Sequence, residues 1–226
     1  MKAAVLSGQH TVEFLDLPDP VPGPGEVVIA MKASGLCGSD FRSYRASEKR
    51  NPTDLKVAGH EPCGIIAEIG EGVTEVQIGD RIMMHHYTGC GACSMCRQGY
   101  TQMCYQFHKT YGFSENGGHA DYLLAPASTC IPLPDALTYA EGAACACGTG
   151  TAFHAFKRLS LTATDTLAVF GQGPVGLSVT LFAAALGVRV LAVDVVPERL
   201  DLAKTLGADA LINASETNPV EALRDL

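Results

Sequence analysis

The sequence predicts a β-rich domain followed by a parallel, doubly wound α/β domain. Three observations carry that prediction. Over residues 1–150, short apolar runs rich in β-branched residues recur between glycine and proline turns. Past Pro132-Leu133-Pro134 the texture changes to apolar strands alternating with helix-length segments. Within that second part, a glycine-rich hexapeptide joins a strand to a helix.

In the first part, 26–31, 64–69 and 81–84 read as strands, separated by turns such as Pro22-Gly23-Pro24-Gly25 and Gly70-Glu71-Gly72. The pattern suggests a compact barrel or sandwich with long functional loops. In the second part, 166–170 reads as a buried strand, 174–186 as a helix and 188–193 as a second strand. A second helix over 197–206 and a short strand over 210–212 follow. Pro197 sits just inside the helix start and Gly207 just past its end, where each residue's backbone preference fits. The expected domains are residues 1–150, including a cysteine lobe at 88–105, and residues 151–226.

Composition removes several function classes. The 226 residues carry a formal charge of −8, and no basic stripe is available for a nucleic-acid backbone. No apolar run reaches the length of a membrane span. The opening apolar stretch Met1–Leu6 is interrupted too soon by Ser7-Gly8-Gln9-His10 to read as a secretory signal. Nine clustered cysteines without an export signal point to a reducing, cytoplasmic compartment and to metal rather than disulfides.

Cys90, Cys93, Cys96 and Cys104 form a C-x2-C-x2-C-x7-C run. Four thiols so spaced can converge as thiolates on one tetrahedral Zn2+. The surrounding loop has three glycines between Thr88 and Gly99 and almost no large apolar side chains, so it needs a staple. Cys93-Ser94-Met95-Cys96 also has the spacing of a redox pair, but the two flanking cysteines favour metal. A site closed by four thiolates has no open position, so its role is structural.

The hexapeptide Gly171-Gln172-Gly173-Pro174-Val175-Gly176 follows a strand and opens a helix, and Asp194 ends the next strand. Its glycines permit a tight turn and close approach to a pyrophosphate at the helix N-terminus. Asp194 can accept hydrogen bonds from both adenosine ribose hydroxyls and would repel a 2′-phosphate, which favours NAD over NADP. Arg199 either contacts the ribose or lies in solvent.

Cys37, His60 and Cys147 are a known ligand set for a catalytic zinc with an open fourth position. Their spacing is not a local motif. Taken singly, each cysteine is equally a small buried hydrophobe and the histidine a satisfied turn or core residue.

Together the residues resemble the zinc-dependent, medium-chain alcohol and polyol dehydrogenases. The resemblance rests on Gly-Leu-Cys-Gly-Ser-Asp at 35–40, Gly-His-Glu at 59–61, Ile-Gly-Asp-Arg at 78–81 and the cysteine lobe. Cys-Gly-Thr-Gly-Thr at 147–151 and the glycine loop follow in family order. It implies a β-rich GroES-like barrel domain followed by an α/β doubly wound (Rossmann) domain, the latter incomplete. It further implies hydride transfer between an alcohol (secondary alcohol, polyol or amino alcohol) and NAD, with Zn2+ at both cysteine-containing sites. Cys37, His60 and Cys147 would hold the catalytic Zn2+, with Ser39 relaying the alcohol proton and Asp40 orienting the histidine. Glu61 would lie behind the metal and swap in as a ligand, and Thr151 would pack near the nicotinamide. Ser39 and Asp40 could instead simply cap a helix. The complete enzyme is expected to be a homo-oligomer acting on a small alcohol or carbonyl compound.

Two departures stand out. Many relatives carry a histidine where this chain has Arg42, which cannot act as a base near neutral pH. The proton would then leave through water, His10 or Tyr44. Relatives also run on well beyond Leu226, so part of the nucleotide sheet is expected to be missing and the 166–170 strand to lose a neighbour. A non-catalytic, zinc-stapled nucleotide-binding or scaffold protein is the alternative reading, and a thiol redox protein a third.

Overall fold

In the computed structural model, which describes residues 1–106 and 108–226, the chain divides into two units, Met1–Cys147 and Gly148–Leu226. The first begins with an antiparallel hairpin of β1 (Lys2–Gly8) and β2 (Thr11–Asp16). β3 (Glu26–Ser34), helix α1 (Asp40–Tyr44), β4 (Pro62–Ile69) and β5 (Arg81–Met84) follow. The lobe contains β6 (Tyr87–Gly89), the short helix α2 (Ser94–Arg97) and β7 (His108–Thr110). After it come β8 (Tyr122–Pro126), β9 (Cys130–Pro132) and α3 (Tyr139–Ala144).

Five of these strands form one antiparallel sheet in the order β8-β3-β4-β5-β9. Alternate residues point to one face of a strand. Val27 and Ile29, Ile82 and Met84, and Leu123 and Ala125 therefore meet, with Ile66, in one buried cluster. α3 starts with a capping box: Thr138 Oγ1 accepts from Glu141 N, and Glu141 Oε2 accepts from Thr138 N. Its Ala143 packs with Cys63 of β4 and Leu133.

The second unit contains α4 (Gly150–Leu159), β10 (Thr166–Phe170), α5 (Pro174–Leu186), β11 (Arg189–Asp194), α6 (Pro197–Thr205), β12 (Ala210–Asn213) and α7 (Pro219–Arg224). The three strands are parallel in the order β10-β11-β12. β11 is central and buried from Val190 to Asp194. β10 is not the buried strand that its composition suggests. Only Val169 is buried and Phe170 is 62% exposed, because among the described residues β10 has a strand on one side only. Among the described residues no helix is long and apolar enough to cross a membrane.

The sheet core yields a contrast. Ile82 on β5 is fully buried, while Ile131 on the neighbouring β9 is 42% exposed. Ile82→Ala should cost about 2–5 kcal/mol of unfolding free energy through lost burial and the cavity left behind. Ile131→Ala should stay within about 0.5 kcal/mol. Urea unfolding followed by circular dichroism measures both, and equal losses would contradict the assigned core.

Candidate metal centres and nucleotide loop

Cys37 and His60 are brought together by strand pairing. Ser34 at the end of β3 is paired with Pro62 at the start of β4, and Gly35 N donates to Glu61 O at 3.1 Å. Cys37 thus follows one strand end and His60 precedes the adjacent strand start. The stretch before His60 is clamped from across the fold: Gly117 N donates to Val57 O, His119 N to Ala58 O and Gly118 N to Gly59 O. A side chain at Gly117 could not be accommodated, since a Cβ there would stand 2.2 Å from Gly59 O.

Cys147 arrives separately. It lies in a π-helical turn, Cys145–Thr149, which follows α3. Such wide turns are rare and concentrate where a side chain must be re-aimed.

One ligand atom each from Cys37, His60, Glu61 and Cys147 lies within 4.8 Å of the others. Glu61 reaches this position because residue 35 is glycine; a Cβ on Gly35 would stand 1.9 Å from Glu61 Oε2. His60 is only 2% exposed and Asp40 only 4%. Asp40 Oδ2 accepts from Cys37 N at 2.8 Å, and Oδ1 stands 3.2 Å from His60 Nδ1, an ion-pair contact without good hydrogen-bond alignment. Ser39 occupies the N-cap position of α1 but makes no side-chain cap; its Oγ lies 3.2 Å from His60 Nε2. That geometry disposes of the simple capping alternative for Ser39. Arg42 is exposed at the last turn of α1, and His10 and Tyr44 pack edge-to-face on each other at 5.2 Å.

The electrostatics show what this donor set lacks. Burial opposes a charge on His60, but Asp40, Cys147 and Cys37 outweigh it and push its pKa up to about 11. Burial alone would raise the Cys37 thiol, yet hydrogen bonds from Ser39 and His60 hold it below the ordinary value. The cluster therefore attracts positive charge, and two sulfurs, an imidazole and a carboxylate suit Zn2+.

Sequence reasoning missed His86, Phe113 and His119. The His86 ring is 5.1 Å and the Phe113 ring 4.9 Å from the His60 ring. His86 is 5% exposed, and its Nδ1 has no hydrogen-bond partner among the described residues. Burial holds the His119 imidazole below its usual pKa, with Asp40 pulling the other way. The His85-His86 pair just before the lobe was the available signal.

The sulfurs of Cys90, Cys93, Cys96 and Cys104 also lie within 4.8 Å of one another. Backbone N–H groups already point at two of them: Cys90 N to Cys104 Sγ at 3.4 Å and Cys93 N to Cys90 Sγ at 3.3 Å. His85 Nε2 meets Thr101 Oγ1 of the lobe at 3.2 Å.

In the second unit, Gly171 adopts φ +88°, and a Cβ on Gly176 would stand 1.8 Å from Gly171 O, so the loop folds directly onto the first turn of α5. Nothing lies within 4 Å of where a Cβ on Gly171 or Gly173 would be, which leaves the open cradle that a pyrophosphate needs. Pro174 has no N–H to offer, so Val175 and Gly176 supply the free donors of the first turn. Asp194 is 6% exposed and is engaged by protein: Oδ2 accepts from Gln172 N, and Oδ1 from Val195 N at 2.8 Å and Val196 N at 2.9 Å. An ionised carboxylate has about four acceptor positions, so one remains for a ribose hydroxyl, not the two that the sequence suggests, because three backbone N–H groups take the others. Arg199, 53% exposed, stands 3.9 Å from Asp194 Oδ2, and Thr151 is exposed on α4.

Known proteins show the same architecture. The profile of the alcohol dehydrogenase GroES-like domain matches residues 23–135, and that of the zinc-binding dehydrogenases matches 174–226. The chain is 42% identical to the uncharacterized zinc-type alcohol dehydrogenase-like protein YphC of Escherichia coli K12, covering 92% of this chain and 61% of that one. It is 36% identical to an alcohol dehydrogenase of Moraxella sp. TAE123, over 99% of this chain and 67% of that one. An alcohol dehydrogenase of Escherichia coli CFT073, solved with NADH, superposes with a TM-score of 0.89 at 30% identity, over 100% of this chain and 66% of that one. The chain thus spans about three fifths to two thirds of the length of these relatives. Matching both profiles in order, it belongs to the zinc-binding, medium-chain alcohol dehydrogenase family.

Proposed function

We propose that the protein to which this sequence belongs transfers hydride between an alcohol (secondary alcohol, polyol or amino alcohol) and NAD, at a zinc held by Cys37, His60 and Cys147. The observation that carries this reading is the convergence of those side chains and Glu61 within 4.8 Å, beside the Ser39 hydroxyl. A zinc ion there supplies Lewis-acid polarisation of the substrate oxygen. Asp40 orients His60 and fixes the Cys37 backbone, so the donors are set before substrate arrives. Ser39 Oγ takes the alcohol proton and passes it on. Glu61 lies where it closes the donor set, so turnover requires it to yield that position to the substrate. Gly171, Gly173, Val175 and Gly176 hold the NAD pyrophosphate, and Asp194 the adenosine ribose, with Arg199 beside it and Thr151 toward the nicotinamide. Cys90, Cys93, Cys96 and Cys104 hold a second zinc that keeps the lobe folded.

Nine cysteines, all free thiols, support a reducing cytoplasmic location. The net charge of −8 supports a small-molecule substrate over nucleic acid. We place the complete enzyme in a homo-oligomer.

Metal analysis should find zinc approaching two per chain, one for each cluster. In the complete enzyme His60→Ala should remove one equivalent and abolish turnover, with some loss of melting temperature because the ring is buried. Cys93→Ser should remove the other and lower the melting temperature. One equivalent in the wild-type protein together with no NAD binding would falsify the reading.

Ser39→Ala tests the proton path separately. In the complete enzyme it should lower turnover by roughly 10²–10⁴-fold, the usual worth of a positioned proton-transfer group. Zinc content and NAD affinity should be unchanged. Turnover within a factor of two of wild type would remove Ser39 from the relay.

A further inference from the structure

The second residue of the glycine loop carries a fully buried, fully engaged amide. Gln172 is 0% exposed although it sits in a loop that otherwise faces open space. Its Nε2 donates to Val169 O of β10 at 2.9 Å, and its Oε1 accepts from Thr180 Oγ1 of α5 at 3.0 Å. Thr180 is likewise 0% exposed. The Gln172 backbone N–H donates to Asp194 at the end of β11, and Gly171 N donates to Val193 O at 2.7 Å. One residue thus joins the loop to both strands beneath it and to the second turn of the helix it opens.

Neither the glycine pattern nor helix capping requires this. A loop residue with a long polar side chain ordinarily turns it to water, since burying an amide is unfavourable unless every group is paired. Here the hydrogen-bonding side chain faces inward, while Gly173 and the first turn of α5 are left facing open space. We propose that Gln172 and Thr180 are positioning residues for the cofactor, fixing the pyrophosphate cradle in its binding geometry before NAD arrives. This rests on the reading of the glycine loop as the dinucleotide site. A loop held in place loses less conformational freedom when ligand binds, and that saving appears as affinity. Asp194 takes part through the Gln172 N–H, so its carboxylate both anchors the loop and keeps an acceptor position free.

Thr180→Val keeps the shape of the side chain and removes the hydroxyl, leaving Gln172 Oε1 unpaired; Thr180→Ser restores the donor. Gln172→Met is a near-isosteric replacement that removes both side-chain bonds. Calorimetric titrations with NAD, ADP-ribose and adenosine, alongside melting temperatures, test the proposal. Thr180→Val and Gln172→Met should weaken NAD and ADP-ribose by roughly tenfold, the worth of about one buried hydrogen bond. Adenosine, which has no pyrophosphate, should lose little, and Thr180→Ser should bind all three as wild type does. Unchanged NAD and ADP-ribose affinity in Thr180→Val, with wild type binding normally, overturns the inference alone. So does an equal loss for all three ligands with a fall in melting temperature, which marks a purely structural role. No NAD or ADP-ribose binding by the wild-type protein overturns the dinucleotide reading and this inference with it.

Discussion

The Asp40 carboxylate is the contact on which the first candidate metal centre depends. One oxygen holds the backbone N–H of Cys37 and the other stands against His60 Nδ1, so a single buried side chain fixes two donors from different strand ends. Without it, no carboxylate would face His60 Nδ1, and Glu61 would be the one carboxylate left in the donor set. His86, at a ring distance of 5.1 Å, marks the contrast: burial and then the neighbouring charge of His60 hold its pKa down to about 4. The same unit therefore contains one imidazole pushed strongly up and another pushed strongly down, and the difference follows from which one faces Asp40 and the thiols.

Close backbone approach is the second requirement, and glycine meets it. Glu61 enters the donor set only because residue 35 lacks a Cβ, and the segment before His60 is clamped only because Gly117 can lie against Gly59. The nucleotide loop uses the same device, with Gly176 lying under Gly171 O. In each case the glycine makes room for a neighbour whose place is then set by hydrogen bonds.

The parts of the molecule that were legible in the sequence are those determined locally. α5 spans Pro174–Leu186 as its pattern suggests, because proline at N1 and Gly187 beyond the last turn mark its ends. The lobe cysteines converge as their spacing predicts. Cys37, His60 and Cys147 could not be joined by spacing, because β3–β4 pairing and the docking of α3 bring them together. The family resemblance supplied what spacing could not. Phe113 belongs to no motif, and the His85-His86 pair hints at His86 without saying that it packs on His60, which only the fold shows. For β10 two expectations compete, burial from its apolar composition and exposure from the expected loss of a neighbouring strand, and the second prevails: only Val169 is buried.

The two cysteine clusters differ in the way each is built, and the difference matches the structural and catalytic roles proposed for them. In the lobe, the donors come from one short stretch, and nearby backbone N–H groups point at the sulfurs. Such a site needs little from the rest of the fold, and four thiolates leave no position for a substrate. The other cluster is assembled from three remote segments and includes a carboxylate, the one donor that can withdraw without leaving a soft metal short of sulfur or nitrogen ligands. Around it, Asp40 and Ser39 both stand against His60, the carboxylate at Nδ1 and the hydroxyl at Nε2. A purely structural site has no use for a hydroxyl aimed at its histidine in place of capping a helix. The unused N-cap of α1 is thus the local feature that most favours the proposed proton-relay role of Ser39.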